Sequence, residues 1–236
     1  GHANPALLAS HNSFLSLGHD EYWTWEMRHH IEQARDRGIH LGIFSSNTCY
    51  WQMRLEPSRL TSEPLRTMVA YKEHMPWHDP LSTDNNPEND HLATTRWRNA
   101  PVNRPEASLL GSMYIEVENP VDGDYVIEDA ASWVLANTGL SKGASLPGVA
   151  GYEVDGLSDA SPAGTRVVAR MPAGQVPGAV TLYRAASGAL VFSSGSMQWS
   201  WGLDDYQAPS LRKSVLNPAV QQITRNVLAR FARADA

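Results

Sequence analysis

The feature that most constrains the fold is the stretch Ser13-Phe-Leu-Ser-Leu-Gly-His-Asp-Glu-Tyr-Trp23. An apolar run ends at Gly18, polar and charged residues follow at once, and a helical pattern begins near Trp23. This order predicts a buried strand, a tight turn and a helix. In open α/β sheets, sites form beyond the carboxyl ends of the strands, so the polar residues of this turn are candidates for chemistry. A helix cap would give the same pattern, and this stretch alone leaves both interpretations open.

A second predicted strand over residues 39–45 makes the start of the chain a βαβ unit. Between the two strands, residues 23–37 repeat apolar side chains at helical spacing. Strand, helix and strand within about 35 residues indicate a parallel pair with a right-handed crossover. The loop after the second strand carries Asn47, and it leaves the sheet at the edge where His19 and Glu21 lie.

The rest of the chain predicts an α/β domain over residues 1–236 with a mostly β insertion at about 56–185. Strands are predicted in that insertion over residues 67–72, 108–118, 125–127, 166–170 and 180–184. An apolar strand over 189–193 and an amphipathic helix over 218–232 then return to the first sheet. We therefore expect a parallel sheet flanked by helices, with the loop after the late strand also reaching the site.

Composition excludes several classes of function. The net charge is −6 and there is no basic block, which argues against binding to nucleic acid or to an anionic membrane. No apolar run reaches the about 18 residues that a membrane span needs. A single cysteine, Cys49, excludes an internal disulfide framework and fits a reducing compartment, so we expect a cytoplasmic protein.

The turn and the Asn47 loop offer the residue types of a hydrolytic site. A histidine beside a carboxylate, here His19 and Glu21, can act as a general base or contribute metal ligands. Asn47 offers an amide donor for a substrate carbonyl, although asparagine is also common in turns. Cys49 with His19 as base would be a cysteine hydrolase, but a lone cysteine is commonly a small buried residue. Glu153 is either part of a second acidic element, with Asp155, or a solvated surface residue.

Eight tryptophans suggest an aromatic cleft. The expected substrate-binding residues are Tyr50, Trp51, Trp199 and Trp201. A cleft of this kind also supports an alternative function, a non-catalytic module that binds a sugar or another small polar ligand.

Five motifs in the same order resemble one family, the C-terminal region of the N,N-dimethylformamidase large (β) subunit and its relatives. They are Gly18-His-Asp-Glu-Tyr-Trp23, Ser46-Asn-Thr-Cys-Tyr-Trp-Gln-Met-Arg54, Pro101-Val-Asn-Arg-Pro-Glu106, Leu146-Pro-Gly-Val-Ala-Gly-Tyr-Glu-Val-Asp155 and Trp199-Ser-Trp-Gly-Leu-Asp204. The resemblance runs over nearly the whole chain. It implies a glutamine-amidotransferase-like (flavodoxin-like) fold and an iron-dependent hydrolase of a small amide.

In that family the ferric ion is held by two tyrosines and one glutamate. The resemblance makes Glu21 the carboxylate ligand, His19 the acid–base or supporting residue, and Asn47 the donor to the substrate carbonyl. Both tyrosine ligands of the family lie upstream of this motif, and none of the 18 residues before His19 is a tyrosine. We therefore expect this chain to be a fragment, with iron bound only if an upstream segment or another subunit supplies the tyrosines. We also expect a homo-oligomer.

Overall fold

The computed structural model describes residues 2–117 and 120–233. The strands in these residues are β1 (Ser13–Leu17), β2 (Tyr22–Thr24), β3 (His40–Phe44), β4 (Trp51–Glu56), β5 (Thr67–Val69), β6 (Met113–Tyr114), β7 (Val121–Ile127), β8 (Ser145–Tyr152), β9 (Asp155–Gly156), β10 (Arg166–Arg170), β11 (Ala179–Arg184) and β12 (Leu190–Ser193). The α-helices are α1 (Ala6–Ala9), α2 (Trp25–Asp36), α3 (Met75–His78), α4 (Pro80–Thr83), α5 (Ala107–Leu110) and α6 (Pro218–Phe231). Short 3₁₀ helices lie at Lys72–His74, Asp90–Leu92, Trp133–Leu135 and Met197–Gly202.

The main layer is a mixed sheet of seven strands in the order β1-β3-β12-β11-β10-β7-β8. The strands from the two ends of the chain, β1, β3 and β12, are parallel, as predicted. The predicted parallel sheet accounts for these three strands only, because the remaining four strands come from the insertion and extend the same sheet in antiparallel pairing. The connection between β11 and β12 is only residues 185–189, too short for the crossover that parallel strands need.

Two smaller sheets complete the mixed α/β architecture. One has the order β2-β4-β5, with β2 and β4 parallel, and the other pairs β6 with β9. The predicted strand over 108–118 is instead α5 followed by β6, and Glu118 lies outside the described residues. None of the described helices has the length and apolar character to cross a membrane.

Strand β3 is buried along its whole length because helices cover both faces of the sheet. Leu41 and Ile43 pack in one core cluster with residues of α2, whereas Phe44 packs in a second cluster with residues of α6. Successive side chains of a strand point to opposite faces, which accounts for this division. The largely apolar sequence of β3 therefore places its carboxyl end in the interior, between the ends of β1 at the sheet edge and of β12.

Helix α2 begins two residues later than the periodicity predicts. Thr24 accepts a hydrogen bond from the backbone N–H of Met27 at 3.1 Å and is the N-cap. Trp23 remains extended in β2, where it pairs with Gln52 of β4. β2 follows directly on the turn that carries His19 and Glu21. Its pairing with β4 keeps that turn next to the loop after β3.

Removing the N-cap of α6 should destabilise the protein modestly. The Asn217 side chain accepts hydrogen bonds from the backbone N–H groups of Ala219 and Val220 at 2.9 and 3.4 Å. We expect Asn217→Ala to lower the free energy of unfolding by about 1 kcal/mol in urea titrations. Asn217→Asp keeps the acceptor and should retain the stability, and an unchanged unfolding midpoint in Asn217→Ala would contradict the capping role.

Candidate functional site

Two loops leave the carboxyl ends of β1 and β3 and are joined along their backbones. The N–H of Cys49 donates to the carbonyl of Asp20 at 2.9 Å, and the N–H of Tyr50 donates to the carbonyl of Glu21 at 2.9 Å. The hydroxyl of Ser45 also donates to the carbonyl of Gly18. These bonds hold the polar turn of the first loop against the second, so their side chains share one site.

The side chains of His19, Glu21 and Asn47 meet between these loops. The amide Nδ2 of Asn47 donates to Oε1 of Glu21 at 3.3 Å. The imidazole Nε2 of His19 lies 3.6 Å from Oε2 of Glu21. The His19 side chain is 43% exposed, whereas Asn47 is buried, so the imidazole is the group that an incoming molecule can reach.

A third segment, from the end of β8 to the start of β9, adds Glu153 and Asp155. Oε2 of Glu153 lies 3.4 Å from Nε2 of His19, which places the imidazole between two carboxylates. Asp155 is buried, and its Oδ1 accepts the backbone N–H of Asn47 at 2.8 Å. The Glu-x-Asp spacing identified these two residues as a possible acidic element. Their position beside His19 and Asn47 depends on long-range sheet pairing, which the local sequence pattern does not reveal.

The electrostatics of the site favour carboxyl groups that can hold a proton. Burial, and then the nearby charge of Glu21, raises the pKa of Glu153, while the Asn47 amide and His19 act in the opposite direction. Burial also raises the pKa of Asp155 to about 7. The His19 imidazole between two of these carboxylates is partly exposed, so water or a bound molecule can reach it.

Tyr50 and Trp51 follow directly on the Asn47 loop and are mostly buried. The Tyr50 hydroxyl donates to Oε1 of Glu116 at 3.1 Å, and the guanidinium of Arg96 lies over the rings of both Tyr50 and Trp51, 5.4 Å from each centroid. The Lys72 ammonium lies 5.4 Å from the Trp51 centroid. Their rings are therefore covered by cationic side chains at the border of the site.

Trp199 and Trp201 make their contacts elsewhere. Trp199 is fully buried in the core cluster that includes residues of α6, and its indole N–H donates to the Thr224 hydroxyl at 3.1 Å. The Arg212 guanidinium lies 5.6 Å from the Trp201 ring centroid. The loop after β12 nevertheless contacts the loop after β3, because the Ser194 hydroxyl donates to the carbonyl of Ser45 at 3.3 Å.

The donor groups of the described residues do not by themselves form a site for a ferric ion. Across residues 2–117 and 120–233, no group of three or more His, Cys, Asp or Glu side chains is arranged to hold a metal ion. The Tyr50 hydroxyl donates a hydrogen bond to Glu116, and burial raises the pKa of the hydroxyls of Tyr50 and Tyr114. Burial therefore favours the protonated, neutral form of both hydroxyls.

Cys49 should be unreactive in the folded protein. It is fully buried, and burial raises the pKa of its thiol, which removes the thiolate that reacts with electrophiles. We expect iodoacetamide to modify Cys49 at least about a hundredfold more slowly in buffer than in urea, because the reaction needs an opening of the structure. Equal rates in the two solvents would contradict this burial.

Comparison with known proteins agrees with the motifs. The sequence profile described as N,N-dimethylformamidase beta subunit-like, C-terminal, matches residues 1–212, which include all three segments of the site. Among the curated proteins, none matches the chain. The match covers most of the 236 residues, so the chain belongs to the N,N-dimethylformamidase beta subunit-like, C-terminal family.

Proposed function

We propose that this chain supplies acid–base residues to an active site that hydrolyses the C–N bond of a small, non-peptide amide. The observation that carries this proposal is the position of His19, with its Nε2 3.6 Å from Glu21 and 3.4 Å from Glu153. Asn47 joins this group from a neighbouring strand end. The family is named for an amide hydrolase, and this arrangement suits the proton transfers of that reaction.

In the proposed reaction, His19 accepts a proton from water as the oxygen attacks the amide carbonyl carbon. The C–N bond then breaks, and the imidazolium returns the proton to the departing amine. Glu21 and Glu153 orient the imidazole and stabilise its charged form. The Asn47 amide interacts with both Glu21 and Glu153, and in the proposed reaction one of its N–H groups turns to the substrate oxygen as negative charge develops there.

The family resemblance extends the proposal to a ferric ion and a glutamine-amidotransferase-like core. Glu21 is the carboxylate that this chain would contribute to such an ion, and the two tyrosines would come from an upstream segment or another subunit. Iron would polarise the carbonyl when bound. The beta subunit of the family name supports association with a second kind of subunit, and a homo-oligomer stays a prediction.

The test is amine and formate release from formamide, N-methylformamide and N,N-dimethylformamide, with the iron content of the same preparation measured in parallel. The protein should be purified intact, with any partner subunit that copurifies. We expect turnover of at least one of these amides. An intact, iron-loaded preparation that releases no amine from any small amide would contradict the proposal.

A further inference from the structure

Asp155 is a buried carboxyl beneath the Asn47 loop, and the proposed reaction does not use it. It is 1% exposed, and its Oδ1 accepts the backbone N–H of Asn47 at 2.8 Å. Its second oxygen, Oδ2, is buried without a hydrogen-bond partner among the described residues. Burying a carboxyl with one oxygen unpaired costs free energy, so stability alone does not account for an aspartate here.

The loop above Asp155 has a backbone conformation that needs support. Asn47 and Cys49 have φ angles of +53° and +58°, in the left-handed region that side chains other than glycine rarely adopt. All residues from 45 to 50 are buried, so water cannot satisfy their backbone groups. The bond to Asp155 fixes the N–H of the residue whose side-chain amide holds Glu21.

Asp155 itself is anchored to the loop after β12. Its backbone N–H donates to the carbonyl of Gly195 at 2.9 Å, and that carbonyl also accepts the Tyr125 hydroxyl at 2.7 Å. Gly195 has a φ of +61°, and an added Cβ would collide with the carbonyl oxygen of Ala179. The anchor therefore has little freedom to move, which makes Asp155 a fixed reference point for Asn47.

We propose that Asp155 is the positioning residue of this site, which sets the direction of the Asn47 amide and, through it, the orientation of Glu21. The effect on catalysis rests on the proposed amide hydrolysis, whereas the effect on Asn47 does not. Asparagine at position 155 would keep an oxygen that accepts the same N–H, and alanine would remove it. The role is thus carried by the hydrogen bond and not by the negative charge.

The experiment compares Asp155→Ala with Asp155→Asn in the intact protein. Hydrogen exchange of the Asn47 backbone amide is followed by NMR, and kcat and KM are measured on the small amide that the wild type hydrolyses best. In Asp155→Ala we expect Asn47 exchange to rise and kcat to fall, each by about tenfold or more, with KM changed by less than about threefold. In Asp155→Asn the Asn47 exchange rate and kcat should each lie within about threefold of the wild-type values.

A matched control separates positioning from general destabilisation. Asp79 is also fully buried, but it pairs with Arg54 and Thr94, away from the Asn47 loop. Asp79→Ala should lower stability and leave the local exchange of Asn47 unchanged. If Asp155→Ala does not fold, Asp155→Ser takes its place, since a serine hydroxyl is too short to reach the Asn47 N–H.

Two results would overturn the positioning role: unchanged Asn47 exchange in the folded alanine or serine variant, or an Asp155→Asn variant as impaired as Asp155→Ala. If the wild type hydrolyses no amide, the exchange measurement still decides the role of Asp155. Failure of the proposed function and failure of this inference are therefore distinguishable.

Discussion

Replacing His19 with glutamine should lower the kcat/KM of amide hydrolysis by about 10²–10⁴-fold, the usual contribution of a positioned acid–base group. Glutamine keeps polarity and approximate size but does not accept and return a proton at neutral pH. The His19 side chain is 43% exposed and belongs to neither core cluster, so the thermal midpoint of unfolding should stay the same. Steady-state kinetics and calorimetry on the same preparation measure both quantities.

The control for this variant is His29→Gln on the exposed face of α2. His29 is exposed, contacts Gln33 one turn along the helix, and belongs to none of the three segments of the site. This variant should have wild-type kinetics. Turnover by His19→Gln at more than about a tenth of the wild-type rate would be too high for a general base and would contradict the role given to His19.

Removing the Trp199 ring should destabilise the fold by about 3–5 kcal/mol, the usual cost of replacing a buried aromatic residue with alanine. Trp199 is fully buried, packs at an angle of 67° against Phe192, and donates its indole N–H to Thr224. Trp199→Ala should therefore shift the urea unfolding midpoint strongly. Where the variant remains folded, its KM for the amide should match that of the wild type.

Trp199→Phe is the conservative comparison for this position. It keeps most of the apolar volume, and the Thr224 hydroxyl retains its bond to the carbonyl of Val220, so the loss should be clearly smaller. The sequence interpretation of Trp199 as a substrate-binding ring makes the opposite prediction. Unchanged stability with a raised KM in Trp199→Ala would favour that interpretation over a core role.

The parallel half of the sheet was predictable because its signals are local. The segments over 13–17, 39–45 and 189–193 are apolar runs bounded by turn residues, and the structure places β1, β3 and β12 there. The strand over 166–170 was also predicted with its observed bounds. The pairing of the insertion strands was not predictable, because their partners and directions are set by contacts between distant segments and not by periodicity.

The approach of His19 and Glu21 to Asn47 followed from one rule, that adjacent parallel strands end at the same edge of a sheet. Glu153 could not be placed in this way, because it arrives from the antiparallel half of the sheet, whose register was unknown. The burial of Trp199 was not predictable for a related reason. Its neighbours Gln198 and Ser200 are polar, as in an exposed loop, whereas its burial depends on packing that includes α6.

The central claim is that loops from different strand ends form one functional site, and a double-mutant cycle between Glu21 and Asn47 tests it most directly. The variants Glu21→Ala, Asn47→Ala and their combination, each of which removes the bond between the two side chains, are compared by kcat/KM on a small amide. The hydrogen bond of 3.3 Å between the two side chains predicts strong non-additivity, with an interaction energy of about 0.5–3 kcal/mol and a double variant little worse than the worse single variant. Losses that add within about 0.3 kcal/mol would show that the two residues act independently and would contradict the account.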